Sequence, residues 1–147
     1  MSSAKASPIH ILLADDDEDD RMMAREAFDV SLLTNPLDEV RDGVELMEHL
    51  HGLLEEGKDL PGLILLDLNM PRKDGREALA EIKSHPDLRR IPVVVLTTSK
   101  AEEDVMRTYD LGVNSFITKP ISFDGLVEVM GELGKYWLEI VKLPKSA

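Results

Sequence analysis

Three short runs rich in Ile, Leu and Val limit the folds open to this chain. They are Ile9 to Ala14, Leu63 to Leu68 and Val93 to Leu96. None shows the apolar–polar alternation of a strand with one wet face, so each suits a strand covered on both sides, as in a parallel sheet. Weaker strands are expected at Leu37 to Arg41 and Asn114 to Thr118. Helical patterns fall between them. The first runs from about Asp19 to Leu33, with Met23, Ala27 and Val30 on one face, and the second from Gly43 to Glu55. The third, Gly75 to Ser84, follows the N-cap Asp74, with Glu77 completing a capping box. The fourth, about Lys100 to Leu111, follows Ser99 and Glu102 in the same pattern. The fifth starts after Ser122 and carries Leu126, Met130, Leu133, Trp137 and Ile140 on one stripe. Five strand–helix alternations imply an α/β fold, a parallel sheet with helices on both faces.

Bulk properties narrow the function classes. A length of 147 residues fits one domain with a real core. A net charge of −12 argues against a nucleic-acid partner, whose phosphates call for basic patches. The absence of Cys excludes disulfides, thiolate metal sites and cysteine nucleophiles. No apolar run reaches the roughly 20 residues of a membrane span, and MSSAKASPIH has no signal-peptide core, so a cytoplasmic location is expected.

In a doubly wound sheet, ligands sit beyond the carboxyl ends of the strands. Asp15 and Asp16 follow the first strand, Asp67 and Asn69 the third, Thr97 and Thr98 the fourth, and Lys119-Pro120 the fifth. Three carboxylates on one rim repel one another and call for a hard divalent cation with oxygen ligands, for which Mg²⁺ is suited. Asp67 is then placed to act as a nucleophile on phosphorus. Lys119 and the metal would stabilise charge on the transferring oxygens, and the Thr97 hydroxyl can donate to one of them.

The segments ILLADDD, LILLDLNMPRKDG, PVVVLTTS and FITKP, in this order and spacing, resemble the motif set of bacterial two-component response regulator receiver domains. The match spans roughly residues 9 to 140. The resemblance implies a flavodoxin-like (βα)5 fold with strand order 2-1-3-4-5. It makes Asp67 the phospho-acceptor and assigns Mg²⁺ to Asp15, Asp16, Asp67 and the backbone carbonyl of Asn69. It makes Thr97 the switch hydroxyl, Phe116 the switch aromatic and Lys119 the phosphate-contacting amine. It places Asn69 and Ser99 where dephosphorylation rate is tuned, and implies a cis bond between Lys119 and Pro120. Thr98 departs from the pattern, standing where many relatives have Ala.

The span before the third strand, the segment GREALAEIKSHPDLRRIPVVVLTTS and the ending YWLEIVKLP are similar to small response regulators paired with cyanobacterial and bacterial phytochromes. This implies a sensor histidine kinase of phytochrome type as phosphodonor. It also implies a homodimer through the face from the fourth to the fifth helix and the C-terminal tail. The expected layout is a flexible tail over 1–8, a receiver over 9–141 and a short tail over 142–147. Such a chain is a signalling domain rather than an enzyme.

Other readings are weaker. Asp15, Asp17, Asp19 and Glu26 partly fit a calcium loop, but its sixth position needs Gly and holds Asp20. Asp17 through Asp20 are better read as acids favoured by a helix N-terminus. A haloacid-dehalogenase-type phosphohydrolase needs a second Asp two residues after the nucleophile, where Asn69 stands. A receiver-like scaffold that is never phosphorylated is favoured by nothing in the sequence.

Overall fold

The computed structural model describes residues 9–31, 35–97, 115–120 and 122–135. In chain order the elements are β1 (Ile11–Ala14), α1 (Glu18–Val30), β2 (Leu37–Val40), α2 (Gly43–Glu55), β3 (Leu63–Leu66), α3 (Gly75–Ser84), β4 (Val93–Thr97), β5 (Ser115–Thr118) and α4 (Phe123–Leu133). The fourth helix expected from the sequence, with Thr98 and Ser99 before it, lies outside the described residues, as does the tail with Trp137. Among the described residues no helix is long and apolar enough to cross a membrane.

The strands form one parallel sheet in the order β2-β1-β3-β4-β5, the flavodoxin-like arrangement. The uninterrupted apolar runs follow from this geometry. Successive side chains of a strand point to opposite faces, and here both faces are covered. Leu12, Ile64, Leu66, Val93 and Val95 join Leu46, Leu50, Leu79 and Ile82 of α2 and α3 in one core layer. Ile11, Leu13, Leu63, Leu65, Val94 and Leu96 join Ala27 and Phe28 of α1 and Leu126, Met130 and Leu133 of α4 in the other. Burying one such side chain fully contributes about 1.5–3 kcal/mol.

Local signals set the helix starts. Asp17 caps α1, its side chain accepting from the N–H groups of Asp19 and Asp20. Asp74 and Glu77 form the expected capping box on α3, and Ser122 caps α4 through the N–H of Gly125. Each such cap stabilises by about 1 kcal/mol.

Two glycines let the helices seat against the loop that follows β3. A Cβ on Gly75 would overlap the Asp67 carbonyl oxygen and lie 2.7 Å from Leu68 Cα. One on Gly43 would overlap the carbonyl oxygen of Lys73. The backbone N–H of Gly43 instead donates to that carbonyl at 2.9 Å, and Gly75 N–H donates to the carbonyl of Leu68 at 2.9 Å.

Candidate functional site

Parallel pairing carries three polar residues to the same end of the sheet. The ladder continues one residue past the strands: Asp15 N–H donates to the Val40 carbonyl at 3.1 Å, and Asp67 N–H to the Ala14 carbonyl at 2.9 Å. Asp67 is thereby held beside the β1 end, one strand over from Asp15. Lys119 follows β5 and reaches back across the rim.

The Lys119 ammonium is the centre of this group. Its Nζ lies 2.6 Å from Asp15 Oδ2, 3.0 Å from Asp20 Oδ2 and 3.3 Å from Asp67 Oδ2. The other oxygens of the two buried acids take backbone donors. Asp15 Oδ1 accepts from Asp17 N–H at 3.0 Å, and Asp67 Oδ1 from Asn69 N–H at 3.1 Å. Arg21 pins the start of α1 to the same place. Its Nη1 donates to the Asp15 carbonyl at 2.8 Å, and its Nε lies 3.4 Å from Glu39 on β2, which Arg25 also pairs.

Burial and charge oppose each other here. Burial is the largest influence on Asp15 and, with the nearby Asp67 charge, pushes its carboxyl above the ordinary range despite the hydrogen bond from Lys119. Burial alone would lower the Lys119 pKa, but its bonds to Asp15 and Asp20 and the charge of Asp67 outweigh it and raise the ammonium above its ordinary value. Four carboxylates, those of Asp15, Asp16, Asp20 and Asp67, face one ammonium and leave the rim at −3 if all ionise.

That excess fits a divalent cation. Asp15, Asp16 and Asp67 each offer a carboxylate oxygen, and these atoms lie within 4.8 Å of one another. Asp15 and Asp67 are buried and Asp16 is exposed, so the set faces solvent on one side. An all-oxygen anionic donor set suits a hard cation.

The structure brings together Asp15, Asp16, Asp67, Asn69 and Lys119 of the residues expected from the sequence. Thr97 ends β4 opposite Thr118, and Phe116 pairs with Val95 in the same ladder. Ser99 and Thr98 lie outside the described residues. One expectation is corrected: no cis peptide bond occurs among the described residues, so Lys119-Pro120 is trans. Trans is the intrinsically preferred isomer of an X-Pro bond by about 0.5–1 kcal/mol, and Lys119 reaches both buried acids from it.

Two features were not evident from the sequence. Asp20, expected only as a helix-dipole acid, is also a direct partner of Lys119. Arg72, in the loop after Asp67, has a left-handed φ of 65°, and its guanidinium bonds Asp42, the buried N-cap of α2, at 2.9 and 2.8 Å. The only hint of Asp20 was its place among the six consecutive acids from Asp15 to Asp20. Nothing in the sequence pointed to the Arg72 pairing.

Comparison with known proteins bears on this site. Residues 11–130 match the model of the family described as response regulator receiver domain. Response regulator Rcp1 of Synechocystis sp. is 46% identical over 147 residues, covering 99% of this chain and 100% of the relative. A probable methanogenesis regulatory protein, FilR2 of Methanothrix harundinacea, is 40% identical, covering 95% of this chain and 90% of the relative. A crystal structure of the Mn²⁺-bound form of Rcp1 superposes with a TM-score of 0.84 over 93% of this chain and 99% of that one. The phosphorylated cyanobacterial phytochrome response regulator RcpA, at 43% identity, superposes with a TM-score of 0.85 over the same shares.

Proposed function

The chain belongs to the response regulator receiver domain family, and we propose that Asp67 is its phospho-acceptor, working with Mg²⁺ and Lys119. The observation that carries this reading is the convergence of Asp15, Asp16 and Asp67 around one lysine at the carboxyl edge of the sheet.

The chemistry follows from the groups present. An Asp67 carboxylate oxygen attacks the phosphorus of a phosphohistidine or an acyl phosphate. The P–N or P–O bond breaks, and its electron pair leaves on the imidazole or the carboxylate. A divalent cation, when bound, neutralises the acids and stabilises charge on the phosphoryl oxygens. Asp15, Asp16 and Asp67 would hold it, together with the Asn69 carbonyl. Lys119 supplies a positive charge that needs no reorganisation at the moment of transfer. Backbone donors from Asp17 and Asn69 keep the two buried carboxylates oriented. Thr97 and Phe116 form the switch that reads the phosphoryl group, and Asn69 and Ser99 set its lifetime.

The phosphodonor in this reading is a sensor histidine kinase, and the kinship with RcpA directs attention to a phytochrome kinase. Transfer of radiolabelled phosphate from a panel of purified, autophosphorylated histidine kinases tests this. Preferential transfer from a phytochrome kinase supports the assignment, and preferential transfer from another kinase redirects it. The same reading has the protein form a homodimer through its C-terminal helices and tail. Sizing at micromolar concentration, with and without residues 136–147, tests that: a dimer that dissociates on truncation is expected, and a monomer in both forms refutes it.

A further inference from the structure

We propose that Asp20 is a positioning residue that keeps the Lys119 ammonium at the site when a divalent cation engages Asp15 and Asp67. The proposal deepens the receiver reading above and rests on it.

An ammonium has three N–H donors and no acceptor. Lys119 has three carboxylate oxygens within reach: Asp15 at 2.6 Å, Asp20 at 3.0 Å and Asp67 at 3.3 Å. They are not equivalent. Asp15 and Asp67 belong to the cluster whose oxygens converge closely enough to hold a cation, and Asp20 does not. A doubly charged ion on that cluster competes with the singly charged ammonium for the same two carboxylates. Asp20 lies outside the contest and retains its bond. Its side chain is 37% exposed against 11% for Lys119, so it stays solvated with or without the metal.

The backbone under Asp20 is held from two sides. The N-cap Asp17 accepts its N–H at 3.1 Å. Arg21, the next residue, ties the first turn of α1 to the Asp15 carbonyl and to Glu39. The favourable helix dipole explains an acid in this turn. It does not explain a carboxylate oxygen 3.0 Å from an ammonium 99 residues away.

The test compares wild type and Asp20→Asn by NMR relaxation of the Lys119 side chain, each without metal and with saturating Mg²⁺. The rate of phosphorylation by acetyl phosphate is measured on the same samples. In wild type the side chain stays ordered in both states. In Asp20→Asn it is ordered without metal, held by Asp15 and Asp67, and becomes mobile with Mg²⁺. The rate falls about three- to tenfold, as for loss of a partly exposed charge-assisted hydrogen bond. A metal-loaded Asp20→Asn whose Lys119 is as ordered as in wild type, or that is phosphorylated at the wild-type rate, overturns the proposal. A wild type that takes no phosphoryl group would instead overturn the receiver mechanism itself, so the two failures are distinguishable.

Discussion

Lys119 Nζ and Asp15 Oδ2 lie 2.6 Å apart, joining the end of β5 to the end of β1 across the edge of the sheet. The pair carries one positive charge into a group of acids that outnumber it. The resting protein therefore keeps unfavourable electrostatics that a cation relieves, and this imbalance leads to measurable consequences.

Asp15→Asn should stabilise the metal-free protein. Burial and the Asp67 charge raise the Asp15 pKa in the folded state above its ordinary 3.8. Folding then favours the protonated form. That contribution is fully present below 3.8 and is lost as pH rises through the elevated folded value. Asn mimics the neutral form at every pH. Urea unfolding at neutral pH in a chelator should show a higher midpoint for the variant than for wild type, and the stabilisation of wild type by added Mg²⁺ should shrink or vanish in the variant.

Arg72 and Asp42 provide a second test, on the loop that carries Asn69. A non-glycine residue at φ 65° is disfavoured by about 1–2 kcal/mol, and the ion pair with Asp42 offsets it. Arg72→Ala and Arg72→Gly both lose the pair, but only Ala keeps the strain. Arg72→Ala should be less stable than Arg72→Gly by about 1 kcal/mol in urea melts.

Asp42 itself should show the opposite pH dependence to Asp15. Burial opposes its ionisation, but hydrogen bonds from the Glu45 N–H and Arg72 outweigh it and hold the folded pKa below 3.8. Its stabilising contribution is present above 3.8 and is lost as pH falls through the lower folded value. Asp42→Asn keeps an oxygen that caps α2 but loses the charged pair with Arg72, and should cost about 0.5–1 kcal/mol at neutral pH. Its melting curve should approach that of wild type as the pH is taken well below 3.8.

Gly75→Ala should damage both fold and site. The new Cβ would meet backbone, overlapping the Asp67 carbonyl oxygen and lying 2.7 Å from Leu68 Cα, and neither partner is a flexible side chain. A loss of about 1–3 kcal/mol is expected from overpacking, with slower phosphorylation because the acceptor loop is displaced. Unchanged stability would mean that α3 can shift freely against Asp67.

Much of this arrangement was legible in the sequence because it depends on periodicity and local capping. The spans of α2 and α3 agree to the residue with those expected from their apolar faces, and Asp74 caps α3 as expected. The uninterrupted strand runs foretold a sheet with both faces covered. Boundaries were poorer where the ladder, not the pattern, decides. Ile9 and His10 precede β1, and Asp67 and Leu68 already belong to the loop after β3. Helix α1 begins at Glu18, one residue before the expected start at Asp19, because Asp17 supplies the cap. Contacts between distant segments were harder still. That Lys119 would meet Asp20 as well as Asp15 depends on how α1 is rotated about its cap, and no spacing rule encodes that rotation. The trans Lys119-Pro120 bond shows the reverse case, a family feature expected by resemblance and absent here.

Whether Asp67 takes the phosphoryl group is decided by intact-mass spectrometry after incubation with acetyl phosphate, on wild type and Asp67→Asn, with Mg²⁺ and with excess chelator. The expected result is a single phosphoryl adduct on wild type with Mg²⁺, and none with chelator or on Asp67→Asn. An adduct of equal extent on Asp67→Asn would put the phosphoryl group elsewhere and refute the assignment.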